Sequence, residues 1–154
     1  MYERIVVGTD GSKTATRAVE TAAEVARAWD ARLCVTAAYV PKLTADQRSN
    51  RAETPENVRW RLSAGAIAEA VVQDAIRIAR AVGGDNLQVD GRAEPGKPVD
   101  VILQVAGTID AGMVIVGNKG MAGWGRLRGS VGHTLTRRAT CDVLVVDTIG
   151  AMRV

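Results

Sequence analysis

Phenylalanine is absent from all 154 residues, and tryptophan and tyrosine bring the aromatic share to only 3%. A core without large rings must be built from Ala, Val, Ile and Leu, which suits helices lying close on a parallel sheet. Cysteine is nearly as scarce. Cys34 and Cys141 stand far apart with no CxxC spacing, which argues against a zinc ribbon or a disulfide framework and predicts two small buried thiols in a reducing compartment. The single histidine, His133, has no marked acid or nucleophile to work with, so a packing or surface role is expected for it. No apolar run approaches the ~20 residues needed to cross a bilayer, and "MYERIVVGTD" reads as the start of a strand, not a signal peptide. A cytoplasmic protein with no membrane partner is therefore expected. The formal charge of +3, from 20 basic and 17 acidic residues, falls short of a basic stripe, so no specific nucleic-acid partner is expected.

What the chain does have is alternation. Strand-like runs, short and rich in β-branched residues, occur at 4–8, 32–40, 86–93, 112–117 and 141–147. Helical stretches separate them. Ala15, Ala18, Val19, Ala22, Ala23 and Ala26 form one apolar stripe, and Ala64, Ile67, Val71, Ala75, Ile78 and Val82 form a second that Gly83 and Gly84 stop. A third helix opens at Pro98 with Val99, Ile102, Leu103 and Ala106 facing inward. The fourth takes Ser130 as its N-cap, with Val131 and Leu135 one turn apart. The order βαβαβαβαβ predicts a doubly wound α/β fold with a parallel sheet in one domain, residues 1–154. The polar segment from Pro41 to Pro55 is long for a connection, as lids and partner surfaces are.

In such sheets ligands bind beyond the carboxyl ends of the strands, where the strand order reverses. Three segments qualify: "VGTDGSKT" after the first strand, "AAYVP" after the second and "VGNKG" after the fourth. Gly117 and Gly120 permit tight turns with exposed N–H groups, and a nest of N–H groups leading into a helix N-terminus favours an anion. No acidic residue occurs between Asp110 and Asp142, whereas Lys119, Arg126, Arg128, Arg137 and Arg138 do. A polyanion would feel that field.

"GNKG", then "GS" opening a helix, then "RRATCDVLVVDT", together with "RIVVGTDGS" at the start and the "RLCVTAAYVP" strand, resembles the universal stress proteins over essentially the whole chain. The family's glycine motif is written G-x2-G-x9-G-[S/T]. The resemblance implies an open five-stranded parallel sheet in the order 3-2-1-4-5, Rossmann-like, with two helices on each face, and a homodimer joined through the last strand. It also implies a pocket for ATP or another adenine nucleotide at the ends of strands 1, 2 and 4, with Mg2+ accompanying ATP. Carried over by position, Asp10 matches the acid near the nucleoside, with Gly8, Thr9 and Gly11 beside it, and Ala38 offers backbone to the base. Val116, Gly117, Asn118, Lys119, Gly120, Gly129, Ser130 and Val131 match the ribose and phosphate segment. A carboxylate accepts ribose hydroxyls, and Ser130 at a helix start donates to phosphate. Here Gly120 and Gly129 enclose eight residues, "MAGWGRLR", where the motif has nine. The shorter interval makes AMP or cyclic AMP a ligand to be weighed against ATP.

Other readings use the same residues. A flavodoxin-like electron carrier would need rings around a flavin, and only Trp124, Trp60 and Tyr39 are placed for that. A receiver domain would need acids clustered beside Asp10 and a lysine after the fifth strand, and neither is present. A dimeric interaction protein that has lost the nucleotide is the remaining alternative. No general base or nucleophile pair is evident, so the expected role is binding, with slow ATP hydrolysis at most. Trp124 in the glycine loop divides between stacking on a base and packing on a partner chain, while Trp29 and Trp60 read as core or interface.

Overall fold

The computed structural model describes residues 2–41, 54–118 and 130–148, with the side chains of 54–63 and of Ser130 outside that description. Five strands, β1 (Arg4–Gly8), β2 (Arg32–Tyr39), β3 (Val89–Pro95), β4 (Met113–Gly117) and β5 (Asp142–Val146), alternate with four helices, α1 (Lys13–Trp29), α2 (Thr54–Gly83), α3 (Pro98–Thr108) and α4 (Ser130–Arg138). All four strand pairings are parallel, and the sheet order is β3-β2-β1-β4-β5.

The burial pattern follows strand position. Ile5, Val6, Val7, Val114 and Ile115 are inaccessible because β1 and β4 are covered on both faces, and strands covered on both faces carry unbroken apolar runs. The flanking β3 and β5 are partly exposed. One core lies between the sheet and α1 with α2, built on Ala18, Val19, Ala22, Ala23, Val72 and Ala79. The other lies under α3 and α4, built on Val101, Ile102, Val105, Val116 and Leu135. Two helices therefore cover each face. Alanines along α1 bring its backbone close to the strands, and Gly91 does the same for β3, where a Cβ would lie 2.3 Å from Val72 Cγ1.

Several boundaries and faces differ from the sequence expectation. Helix α2 begins at Thr54, ten residues before the apolar stripe, with Pro55 suited to a first turn. Its buried stripe is Ala68, Val72, Ala75, Ile76 and Ala79, whereas Ile67 is 67% exposed. In α3 the inward face centres on Val101, Ile102, Val105 and Ala106, with Val99 and Leu103 at its margin. Strand β3 spans Val89–Pro95 against the expected 86–93, since 86–88 lie in the connection after α2. Ser130 is the first residue of α4, not the cap before it. Of the two places read for Trp29, the core is excluded: it is exposed at the end of α1 with its ring edge-on to Tyr2, centroids 5.2 Å apart. Cys34 is buried, Cys141 only partly, and His133 is on the surface. No helix among the described residues is long and apolar enough to cross a membrane.

Candidate functional site

From β1 the chain proceeds to β2 on one side, and from β4 to β5 on the other. Their connecting helices α1 and α4 lie on opposite faces, so the strand order reverses between β1 and β4. A crevice at that point is where open parallel sheets take ligands. Register brings the carboxyl ends together, because Gly8 pairs with Thr36 and Val7 with Ile115.

The turn after β1 is held by its own side chains. Thr9 is 4% exposed, its N–H donates to the Thr36 carbonyl at 2.9 Å, and its hydroxyl accepts from the Gly11 N–H. Asp10 Oδ1 accepts the Ser12 N–H at 2.9 Å, and Oδ2 has no hydrogen-bond partner among the described residues. One face of the carboxylate is thus fixed and the other is available. Gly11 has φ +78°, and a Cβ there would lie 2.9 Å from Val71 Cγ2 on α2, so the turn needs glycine both for its backbone and for the space beneath α2. Ser12 then caps α1, its Oγ accepting from the Ala15 N–H. No acid lies in the first turn of α1, so the negative charge at its positive end is that of Asp10 in the turn before it.

The end of β2 continues two residues past Thr36 to Ala38, which pairs with Glu94 and packs against the core beneath α3 and α4. Gly8 and Val116 are buried at the ends of their strands. Gly117, expected in a tight turn, instead closes β4 as a strand residue paired with Val146. Asn118 is tied by its backbone to the last residue of β5 and by its side chain to Asp147 and Thr148 just beyond it. Val131 lies on α4 against the second core. Lys119, Gly120, Trp124, Arg126, Arg128 and Gly129 lie outside the described residues, as does most of the 41–55 segment, and the side chains of Trp60 and Ser130 are likewise outside the description. Arg137 and Arg138 occupy the last turn of α4, at the other end of the helix from Ser130. There they compensate the helix carbonyls, and Arg138 pairs with Asp100 at 3.0 Å.

A family model described as the universal stress protein family matches residues 1–147. The chain belongs to the universal stress protein family. A universal stress protein of Mycobacterium tuberculosis is 36% identical over 148 residues, an alignment spanning 96% of this chain and 97% of the relative. Among solved structures, a universal stress protein in complex with cAMP superposes with a TM-score of 0.72 at 33% identity, covering 96% of this chain and 98% of that one. A universal stress protein from Archaeoglobus fulgidus in complex with dAMP shares the fold, with a TM-score of 0.66 at 20% identity and coverage of 95% and 98%. In this universal stress protein, residue reading alone missed two features of the site. Ser12 as the cap of α1 was signalled by Ser followed by a helical stretch. The bonds joining Asn118 to Thr148 span 30 residues and carry no local sequence signal.

Proposed function

We propose that this universal stress protein binds an adenine nucleotide in the crevice at the carboxyl ends of β1, β2 and β4, as one domain that is cytoplasmic and acts as a homodimer. The observation that carries the reading is the turn Thr9–Ser12: one carboxylate oxygen of Asp10 is left for a ribose hydroxyl, directly before the Ser12-capped start of α1. The cAMP complex of a relative 33% identical to this chain supports the same ligand class. Gly8, Thr9 and Gly11 shape the turn around Asp10, and Ala38 presents backbone to the base. Val116, Gly117, Lys119, Gly120, Gly129, Ser130 and Val131 contribute the ribose and phosphate segment. The protein acts by occupancy, with ATP hydrolysis slow at most. Mg2+ accompanies the phosphates where ATP is the ligand, and the eight-residue glycine interval favours a compact nucleotide such as AMP or cyclic AMP.

Calorimetric titration of nucleotide-stripped protein with ATP, AMP, cAMP and GTP tests this. Saturable binding selective for adenine is expected, weakened about tenfold or more by Asp10→Ala, as loss of a charged hydrogen bond requires. Asp10→Asn retains an acceptor for the Ser12 N–H and separates loss of charge from collapse of the turn. ATP binding as tightly as the monophosphates would overturn the compact-ligand preference. No binding to any of the four would leave a dimeric interaction protein as the better account.

A further inference from the structure

At the end of β4 the chain is sewn to the end of β5 by one side chain. The Asn118 N–H donates to the Val146 carbonyl at 2.9 Å, continuing the ladder by one bond. Its side chain then goes further than a sheet requires. Nδ2 donates to Asp147 Oδ1 at 2.9 Å, while Oδ1 accepts the Thr148 N–H at 3.0 Å and the Thr148 hydroxyl at 2.6 Å. Thr148 is 1% exposed, so these bonds are shielded on its side, where leaving a partner unsatisfied is costly. The amide orientation follows from the bonds, since two donors converge on Oδ1 and an acceptor faces Nδ2.

Resting on the nucleotide reading above, we infer that Asn118 is a positioning residue for the nucleotide site: it anchors the first residue of the glycine segment to the segment after β5 and does not itself contact the ligand. Its Oδ1 is taken up by Thr148 and one Nδ2–H by Asp147, which holds the amide on the β5 side. Its place supplies the consequence, because Gly117 is the last strand residue before the glycine motif continues, and the direction in which the chain leaves β4 is set one residue later. A backbone that cradles a ligand through N–H groups loses affinity when its anchor is free to rotate. Coupling of this kind is reciprocal, so bound nucleotide must also tighten the Asn118–Thr148 bonds.

The test titrates wild type, Asn118→Ala, Asn118→Asp and Thr148→Val with cAMP and ATP at a temperature where circular dichroism shows each to be folded. Asn118→Ala keeps the backbone bond to Val146 and removes only the side-chain bonds. About tenfold weaker nucleotide binding is expected from it. Asn118→Asp retains both acceptor bonds from Thr148 but sets a carboxylate against Asp147, and Thr148→Val removes the hydroxyl bond alone. Both are expected to lose about threefold. Hydrogen exchange supplies a readout that a purely structural role would not move: nucleotide slows exchange of the Thr148 amide in wild type and does so less in Asn118→Ala. If folded Asn118→Ala binds with wild-type affinity, the inference is overturned while the nucleotide reading stands. If Asn118→Ala does not fold, equal affinity of wild type and Thr148→Val overturns it instead. Absence of saturable binding by wild type overturns both.

Discussion

At the scale of single residues the clearest physical anomaly is Cys34, in the middle of β2 and 3% exposed. Burial pushes its thiol up to about 11, and the nearby Asp90 carboxylate pushes the same way. The unfolded chain releases this proton near pH 9 while the folded chain keeps it, so between these values the native state binds more protons. Stability must then fall as pH rises from 9 towards 11, by about 3 kcal/mol at most for this group. Tyr2, whose hydroxyl donates to Asp142, is also raised, and Cys141 is raised by partial burial; both act with the same sign. Urea unfolding at pH 8 and pH 10.5 is expected to show the loss, with a shallower decline in Cys34→Ala than in wild type. Equal declines would remove Cys34 from the account. A thiolate-directed reagent is expected to modify the more accessible Cys141 before Cys34.

Among the elements, α1 is the one on which fold and site depend together. Ser12 satisfies an orphan N–H at its start while sharing a turn with Asp10. Ser12→Ala is expected to cost about 1 kcal/mol and lower the melting temperature by roughly 2–4 °C, measured by thermal circular dichroism, and to weaken nucleotide binding through the same turn. An unchanged melting temperature would mean that the Thr14 hydroxyl beside it takes over the cap. This element was also the most legible one, because six small apolar residues at helical spacing fix both its type and its buried face. Strands β1 and β4 were legible for a similar reason, as continuous apolar runs bounded by glycine or aspartate. Helix α2 was legible only where its stripe touches the sheet. Its first turns, "TPENVRW", are polar apart from Val58 and Trp60, so periodicity gave no sign of helix there, and Ile67 was assigned inward although the packed stripe runs through Ala68 and Val72. At the site, Asp10 and Gly11 were legible through the resemblance of "RIVVGTDGS" to the family's opening, while the local pattern pointed only to the segment after β1. Contacts that join distant segments, such as Val71 over Gly11, carry no local pattern and emerged only from packing.

For the whole molecule, the remaining step concerns the sheet edge at β5. It pairs only with β4, and Val145 on it is 38% exposed, next to main-chain groups with no second strand beside them among the described residues. An open, apolar edge is a liability that pairing with an identical edge removes. Two copies meeting at β5 are therefore expected to give a dimer at micromolar concentration in sedimentation equilibrium. Val145→Glu is expected to shift that equilibrium to monomer by tenfold or more, because two like charges would oppose each other across the dyad. A wild-type monomer at micromolar concentration would sink the dimer. The same variant separates assembly from binding: Thr9, Asp10, Gly11, Ser12 and Asn118 all belong to one chain and lie at β1 and β4, with β5 between the crevice and the edge. Monomeric Val145→Glu should therefore bind adenine nucleotide within a few-fold of wild type, and a large loss in a folded monomer would mean that the second copy completes the pocket.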